Sequence, residues 1–123
     1  MNEINEMLEE MVKLLNEVVS ISVVGMDGLV IAEYTADDSA STDYSSAKMT
    51  SAIVDLIQLV EEINMGKMVD NLLSTESGHF LTKQIGDGSI FLSIVCKRGA
   101  NLGAMRYVSK VYNERIWNLL PHN

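Results

Sequence analysis

The segment SIFLSIVC, residues 89–96, constrains the fold of this chain more than any other stretch. Side chains alternate between two faces along a β-strand. Apolar residues occupy both faces of this one, with Ile90, Leu92, Ile94 and Cys96 on one side and Phe91 and Val95 on the other. A strand that is apolar on both faces must be covered on both. We therefore expect it at the centre of a sheet, with helices packed above and below.

Three amphipathic helices are available to cover that sheet. Apolar residues recur at helical spacing in residues 3–19, in residues 44–64 and from Leu102 onward. Asn101 is a suitable N-cap for the third helix, and Pro121 ends it. The main apolar stripe of the second helix consists of Met49, Ile53, Leu56, Ile57, Val60 and Ile63 and is widened by Ala52 and Leu59, while Val54 falls outside it. An arc this broad predicts a helix that is covered on more than one side.

Four further strands complete the predicted sheet. The stretch SISVVGMDGLVIAEY indicates a hairpin, because Asp27 and Gly28 both tolerate the positive φ of a tight turn. Residues 68–76, MVDNLLSTE, and residues 80–85, FLTKQI, precede the central strand. The element order is therefore α-β-β-α-β-β-β-α. It predicts an α/β three-layer sandwich, with a five-stranded antiparallel sheet between helices, as a single domain over residues 1–123.

Composition excludes several functional classes. Seventeen acidic and nine basic residues give a net charge of −8, whereas proteins that bind nucleic acids or anionic membranes need an excess of cations. The first ten residues are acidic, unlike a signal peptide, and no apolar run approaches the roughly 20 residues of a membrane span. We expect a cytoplasmic protein with no membrane insertion.

Metal and cofactor sites are not predicted either. One cysteine and two histidines do not provide a zinc site, and Asp37, Asp38 and Asp43 lack the spacing of a calcium loop. Gly99 and Gly103 lie between the last strand and helix, where phosphate loops occur, but the G-x-x-x-x-G-K-[ST] spacing is absent. We therefore expect no bound cofactor.

Single reactive residues have ordinary structural interpretations. Cys96 ends an apolar strand and is expected in the core, because a nucleophile needs a cationic setting. His79 lies in a predicted turn and is expected to be solvated. Arg106 has the chemistry of an arginine finger, but one turn into a helix a structural salt bridge is the commoner role. Trp117 is expected to be a partly buried anchor. No catalytic residue is predicted.

The order of these motifs resembles the roadblock family. GANLGAMRYVSKVYNERI after an apolar strand is similar to the family's C-terminal signature, in which an Asn-Leu-Gly turn leads into the last helix. VVGMDGLVIAE is similar to the family's first hairpin, and the N-terminal and second helices stand in the expected places. The resemblance covers nearly the whole chain. It implies a profilin- and longin-like sandwich that forms homodimers.

The resemblance also implies a function. In roadblock proteins the third strand pairs with that of a second subunit, which points here to Val69, Asn71 and Leu73, and the second helices share one face. The implied partner is a Ras-like small GTPase, regulated without a donated catalytic group, so the chain is expected not to be an enzyme. The expected docking face is on the second helix and consists of Ser51, Val54, Asp55, Gln58 and Glu62.

Two other functions stay open from the sequence. A scaffold or adaptor dimer, similar to a dynein light chain, would tie complexes together without affecting hydrolysis. A small-ligand sensor is less favoured, because SIFLSIVC and SISVV offer few polar groups that converge on a site. In the homodimer, Val54 and its neighbours on the second helix would contact the second subunit.

Overall fold

All eight predicted elements form in the predicted order. The computed structural model describes residues 2–36 and 42–121. The elements are α1 (Asn2–Leu14), β1 (Val18–Gly25), β2 (Val30–Thr35), α2 (Thr42–Glu62), β3 (Asn71–Ser74), β4 (Gly78–Ile85), β5 (Ile90–Lys97) and α3 (Leu102–Leu119). The predicted α/β sandwich with its five-stranded antiparallel sheet is therefore confirmed.

The strand order is β2-β1-β5-β4-β3, and every neighbouring pair is antiparallel. Strand β5 is central, as its two apolar faces require. Its Ile94 lies opposite Ile21 of β1 and Leu81 of β4. Strands β2 and β3 form the two edges of the sheet.

The two faces of the sheet are covered unequally. Helices α1 and α3 both pack on one face, where the main core consists of residues such as Leu8, Met11, Ile21, Leu81, Leu92, Ile94, Met105 and Ile116. On the opposite face α2 lies alone, and its Ile53 packs with Val24 and Phe91 in a second, smaller core. We call this second side of the sheet the α2 face.

Three predicted boundaries were wrong. Helix α1 ends at Leu14, not residue 19, because the β-branched residues from Val18 onward join the sheet and Glu17 O accepts a hydrogen bond from Lys97 N–H at 2.8 Å. Helix α2 spans residues 42–62 in place of 44–64. Strand β3 has four residues, and Val69 lies before it, because the segment that follows Gly66 must first cross from α2 to the sheet edge.

Polar contacts hold α3 in its place. Asn101 is the N-cap, as predicted, and its Oδ1 accepts the N–H of Ala104 at 2.9 Å. On the outer side, Tyr112 donates to Glu10 of α1 at 3.1 Å, and Arg115 donates to the same carboxylate at 3.3 Å. These bonds join the first and last helices of the chain.

The turn between β4 and β5 is fitted against α3. Gly86 has a φ of +60° and lies directly beneath the indole of Trp117, so that a Cβ atom at this position would overlap the ring. Asn113 donates from Nδ2 to the carbonyl of Gln84 at 2.9 Å. Trp117 therefore anchors the end of α3 on the domain, as the sequence predicts.

We predict that Gly86→Ala destabilises the protein by about 3 kcal/mol, because it combines a left-handed backbone with displacement of Trp117. Gly66→Ala is the matched control, since Gly66 has a φ of +84° and open space around it. It should cost about 1 kcal/mol. Urea unfolding followed by the fluorescence of the single tryptophan measures both. Equal losses in the two variants would contradict the proposed contact.

Candidate protein-binding surface

Helix α2 crosses its face of the sheet near one end of the strands. A side chain at Gly28, in the β1–β2 turn, would contact Ala47 in the first half of α2. The second half of the helix borders a groove of about 710 Å³ with the β4–β5 turn on its other side. These two turns adjoin, since Met26 N–H donates to Ser89 O at 2.9 Å. None of the three helices in the described residues therefore lies over the opposite end of the α2 face.

The second helix presents three distinct sides. The side against the sheet is centred on Ile53, which is buried with Ser46 and Thr50. About 90° around the axis lies an apolar flank, which consists of Ala52, Leu56, Leu59 and Ile63. Leu59 is 48% exposed and Ile63 is 51% exposed. Because Ala47 and the groove lie on the other side of the helix, this flank points toward the uncovered end of the sheet.

The third side is polar and faces solvent. It consists of Ser51, Asp55, Gln58 and Glu62, all of them exposed, and we call it the polar ridge. The fifth predicted docking residue, Val54, is half-buried beside the ridge. It lies on the side of the helix that borders the two turns, away from Leu59 and Ile63. The structure thus brings four of the five predicted docking residues onto one accessible surface.

The uncovered end of the α2 face is apolar. Leu73 of β3, Phe80 of β4 and Val95 of β5 lie opposite one another in register, on the same face as Phe91. Leu73 is exposed, and the other two are half-buried. We call Leu59, Ile63, Leu73, Phe80 and Val95 the apolar trough. Exposed apolar side chains gathered on one face are typical of a protein-binding surface. The wide apolar arc of α2 in the sequence pointed to this surface.

The edge strand β3 is held by contacts on its inner side. Asp70 forms a two-point ion pair with Arg106 of α3, at 3.2 and 3.4 Å, and Lys83 donates to the carbonyl of Val69 at 3.0 Å. Arg106 therefore has the structural role that the sequence favoured over an arginine finger. Val69, 72% exposed, and Leu73 border the open edge, with Asn71 half-buried between them.

The prediction that His79 lies in a turn was wrong. His79 lies in β4, its Nδ1 is 2.7 Å from Ser74 Oγ, and its Nε2 is 3.1 Å from the carbonyl of Arg98. Arg98 in turn donates to the carbonyl of Thr75 at 3.1 Å. The strand begins two residues earlier than the apolar pattern suggests, because Gly78 pairs with Lys97 in the sheet. These bonds join the β3–β4 turn to the β5–α3 turn.

Cys96 is a core residue, as predicted. Its side chain is buried, and burial together with the nearby charge of Glu17 raises the pKa of the thiol to about 11. The carboxylate of Glu17 also lies against Gly99. This carboxylate places a negative charge at the turn that contains Gly99, where a bound phosphate would need positive charge.

Among residues 2–36 and 42–121, no group of three His, Cys, Asp or Glu side chains could hold a metal ion. Asp37 and Asp38 lie outside the described residues, as does the side chain of Asp43. None of the helices in the described ranges has the length and apolar character to span a membrane.

Comparison with known proteins identifies relatives of this fold. The sequence model of the Roadblock/LC7 domain family matches residues 4–94. No curated protein sequence matches the chain. The Roadblock/LC7 domain from Streptomyces avermitilis superposes with a TM-score of 0.83 at 16% identity, over 94% of this chain and 95% of that one.

Two further solved structures extend the comparison. MglB from Myxococcus xanthus superposes with a TM-score of 0.87 at 14% identity, over 98% of each chain. LokiProfilin2, solved in a complex with rabbit actin, superposes with a TM-score of 0.69 at 12% identity, over 98% of this chain and 99% of that one. These similarities confirm the predicted profilin-like fold.

We predict that the raised pKa of Cys96 makes the folded protein less stable in alkali. An unfolded thiol ionises near pH 8.5, whereas the folded one ionises near pH 11. The stabilisation is complete below pH 8.5 and is lost as the pH rises toward 11, by about 3 kcal/mol.

Urea unfolding in a reducing buffer at several pH values measures this loss. Cys96→Ala should show a shallower decline with pH. Tyr112, whose pKa is raised by burial and by its hydrogen bond to Glu10, contributes equally to both proteins. Identical pH profiles of the two proteins would contradict the assignment.

Proposed function

Because the chain belongs to the Roadblock/LC7 domain family, we propose that it is a non-enzymatic homodimer that binds a Ras-like small GTPase and changes its GTP hydrolysis or switch state. One observation carries the proposal. A single face of the molecule has an apolar trough that the described residues leave uncovered and, beside it, a solvent-facing polar ridge on α2. The first surface suits permanent association, and the second suits a reversible partner.

The proposed dimer uses the apolar trough and the edge of β3. An exposed strand edge with apolar side chains is prone to aggregate unless it is paired. Pairing β3 with β3 of a second copy about a two-fold axis gives a closed, self-complementary contact. The same axis brings α2 of the second copy over the trough of the first. Leu59 and Ile63 of each chain would then pack against the other helix.

The polar ridge is the proposed docking surface for the GTPase. Its four residues point away from the sheet, so they remain accessible when the trough is covered. Two of them, Asp55 and Glu62, are acidic, which suits a basic surface on the partner. The bridging of Arg106 by Asp70 supports a regulator that contributes no catalytic group of its own. Such a regulator acts by changing the conformation of the GTPase switch loops.

We predict that the native protein sediments as a species of about 27 kDa, twice the 13.6 kDa chain mass. Leu59→Glu should give a folded monomer, because dimerisation would bury an unpaired charge in the trough. Leu29→Glu is the control, since Leu29 is 68% exposed but lies in the β1–β2 turn, outside the trough. Analytical ultracentrifugation at micromolar concentration tests this. A native monomer would contradict the proposed dimer.

We predict that the double variant Asp55→Lys, Glu62→Lys weakens GTPase binding by about tenfold, because two favourable charge contacts become repulsive. Glu9→Lys on α1 is the control, because that exposed acid lies on the opposite side of the sheet. The probes are the Ras-like small GTPases of the source organism, each loaded with GDP or with a non-hydrolysable GTP analogue.

Binding and single-turnover GTP hydrolysis are measured together. Loss of both in the ridge variant, with both kept in the control, supports the proposal. Binding without any change in turnover or nucleotide exchange would replace the regulator by a scaffold dimer. Absence of binding by the native protein would contradict both.

A further inference from the structure

A row of polar side chains crosses the whole α2 face of the sheet. Ser22 of β1 lies opposite Glu33 of β2 on one side and opposite Ser93 of β5 on the other. Ser93 in turn lies opposite Thr82 of β4, and Thr82 lies opposite Asn71 of β3. These five residues, one from each strand, form what we call the polar ladder. Apolar rows lie on both sides of it, with Val24 and Phe91 on one side and Phe80 and Val95 on the other. The ladder ends at the open edge, on Asn71.

The ladder is incomplete in a single chain. Ser22 donates to Glu33 at 3.3 Å, which joins the far end of the ladder. Thr82, only 1% exposed, has no hydrogen-bond partner for its Oγ1 among the described residues. A buried hydroxyl without a partner is rare. Its neighbours in the ladder are Ser93 and Asn71, and the amide of Asn71 carries two N–H donors.

The backbone of β3 limits how a second strand can pair with it. Thr75 N–H donates to Gly78 O at 2.8 Å, and this pair continues the register of Leu73 with Phe80 and of Asn71 with Thr82. In an antiparallel ladder, hydrogen-bonded and non-hydrogen-bonded pairs alternate. The odd-numbered residues therefore bond to β4. The N–H and C=O groups of Asp70, Leu72 and Ser74 point outward, to the free edge.

A second copy of β3 must therefore pair through these even-numbered residues. When a two-fold axis relates the two copies of β3, even-numbered residues of one copy hydrogen-bond to even-numbered residues of the other. Odd-numbered residues then lie opposite odd-numbered residues. Four registers satisfy this condition within the strand. They place Asn71 opposite Asn71, Leu72 opposite Leu72, Leu73 opposite Leu73, or Ser74 opposite Ser74 of the second copy.

We propose that Asn71 lies opposite Asn71 of the second copy and fixes the register of the dimer. This inference rests on the proposed homodimer and adds its alignment. In this register Val69 of each chain lies opposite Leu73 of the other, so the exposed apolar residues of the edge contact each other on both sides of an asparagine pair. The two polar ladders then join into one across ten strands. Each Asn71, fixed at the axis, donates one N–H to Thr82.

The three other registers match polarity less well. With Ser74 at the axis, Leu73 lies opposite Thr75, in the turn that follows β3. With Leu72 at the axis, Asn71 is placed against Leu73 of the second copy. With Leu73 at the axis, Val69 lies opposite Ser77, in the turn that follows β3, and stays uncovered. A polar residue within an apolar interface is a known device for specifying register.

Cysteine cross-linking distinguishes the registers. Residues directly opposite in antiparallel strands have Cα atoms roughly 4.5–5.5 Å apart, within the range of a disulfide, whereas diagonal neighbours are farther apart. The variants are Asn71→Cys, Leu72→Cys and Leu73→Cys, each oxidised with oxidised glutathione and analysed on non-reducing gels. The native protein, whose Cys96 is buried, is the control for background.

Asn71→Cys should form covalent dimers about tenfold faster than Leu72→Cys or Leu73→Cys alone. A mixture of Val69→Cys and Leu73→Cys, exchanged before oxidation, should give the mixed dimer in preference to either self-linked one. Faster self-linking of Leu72→Cys or Leu73→Cys would overturn the proposed register.

Sedimentation of each variant before oxidation separates this inference from the one on which it rests. Dimers in which none of the cysteines cross-links would overturn the register and leave the homodimer standing. Monomers of the native protein would overturn the homodimer itself.

Discussion

The need to cover both faces of β5 governs the rest of the structure. Helices α1 and α3 cover one face completely and build the main core with it. On the other face a single helix is available, and it lies near the end of the strands that carries the β1–β2 and β4–β5 turns. One helix is too narrow for five strands. The apolar trough lies on the part of the sheet that α2 does not cover.

The chemistry of the molecule agrees with a role in binding. Three residues whose types could suggest catalysis have structural roles: Cys96 is buried with a raised pKa, His79 joins two turns, and Arg106 is bridged to Asp70. What remains accessible is a set of surfaces of different character on one side of the sheet. The trough and the β3 edge are apolar, with one asparagine between them, and the polar ridge is acidic. The proposed regulation of a GTPase would need only contact through such surfaces.

The sequence predicted helices and strands correctly where apolar residues recur at a regular spacing over many positions. It failed at the ends of these elements. The two-sided β5 and the Asn101 cap are local patterns, and both were confirmed. The end of α1 was missed because Val18 continues the helical spacing while it also suits a strand, and pairing with β5 decides between them. His79 was missed because a glycine-containing segment looks like a turn until its register with Lys97 and Cys96 is known.

The sequence by itself determined the order of the elements, the central position of β5 and the excess apolar arc of α2, because each depends only on the spacing of apolar residues along the chain. The tertiary structure decided which flank of α2 stays uncovered, which groups of β3 point outward and how five polar residues align across the sheet. Those features depend on lateral strand order and register, which bring together residues far apart in the chain. No local pattern encodes them.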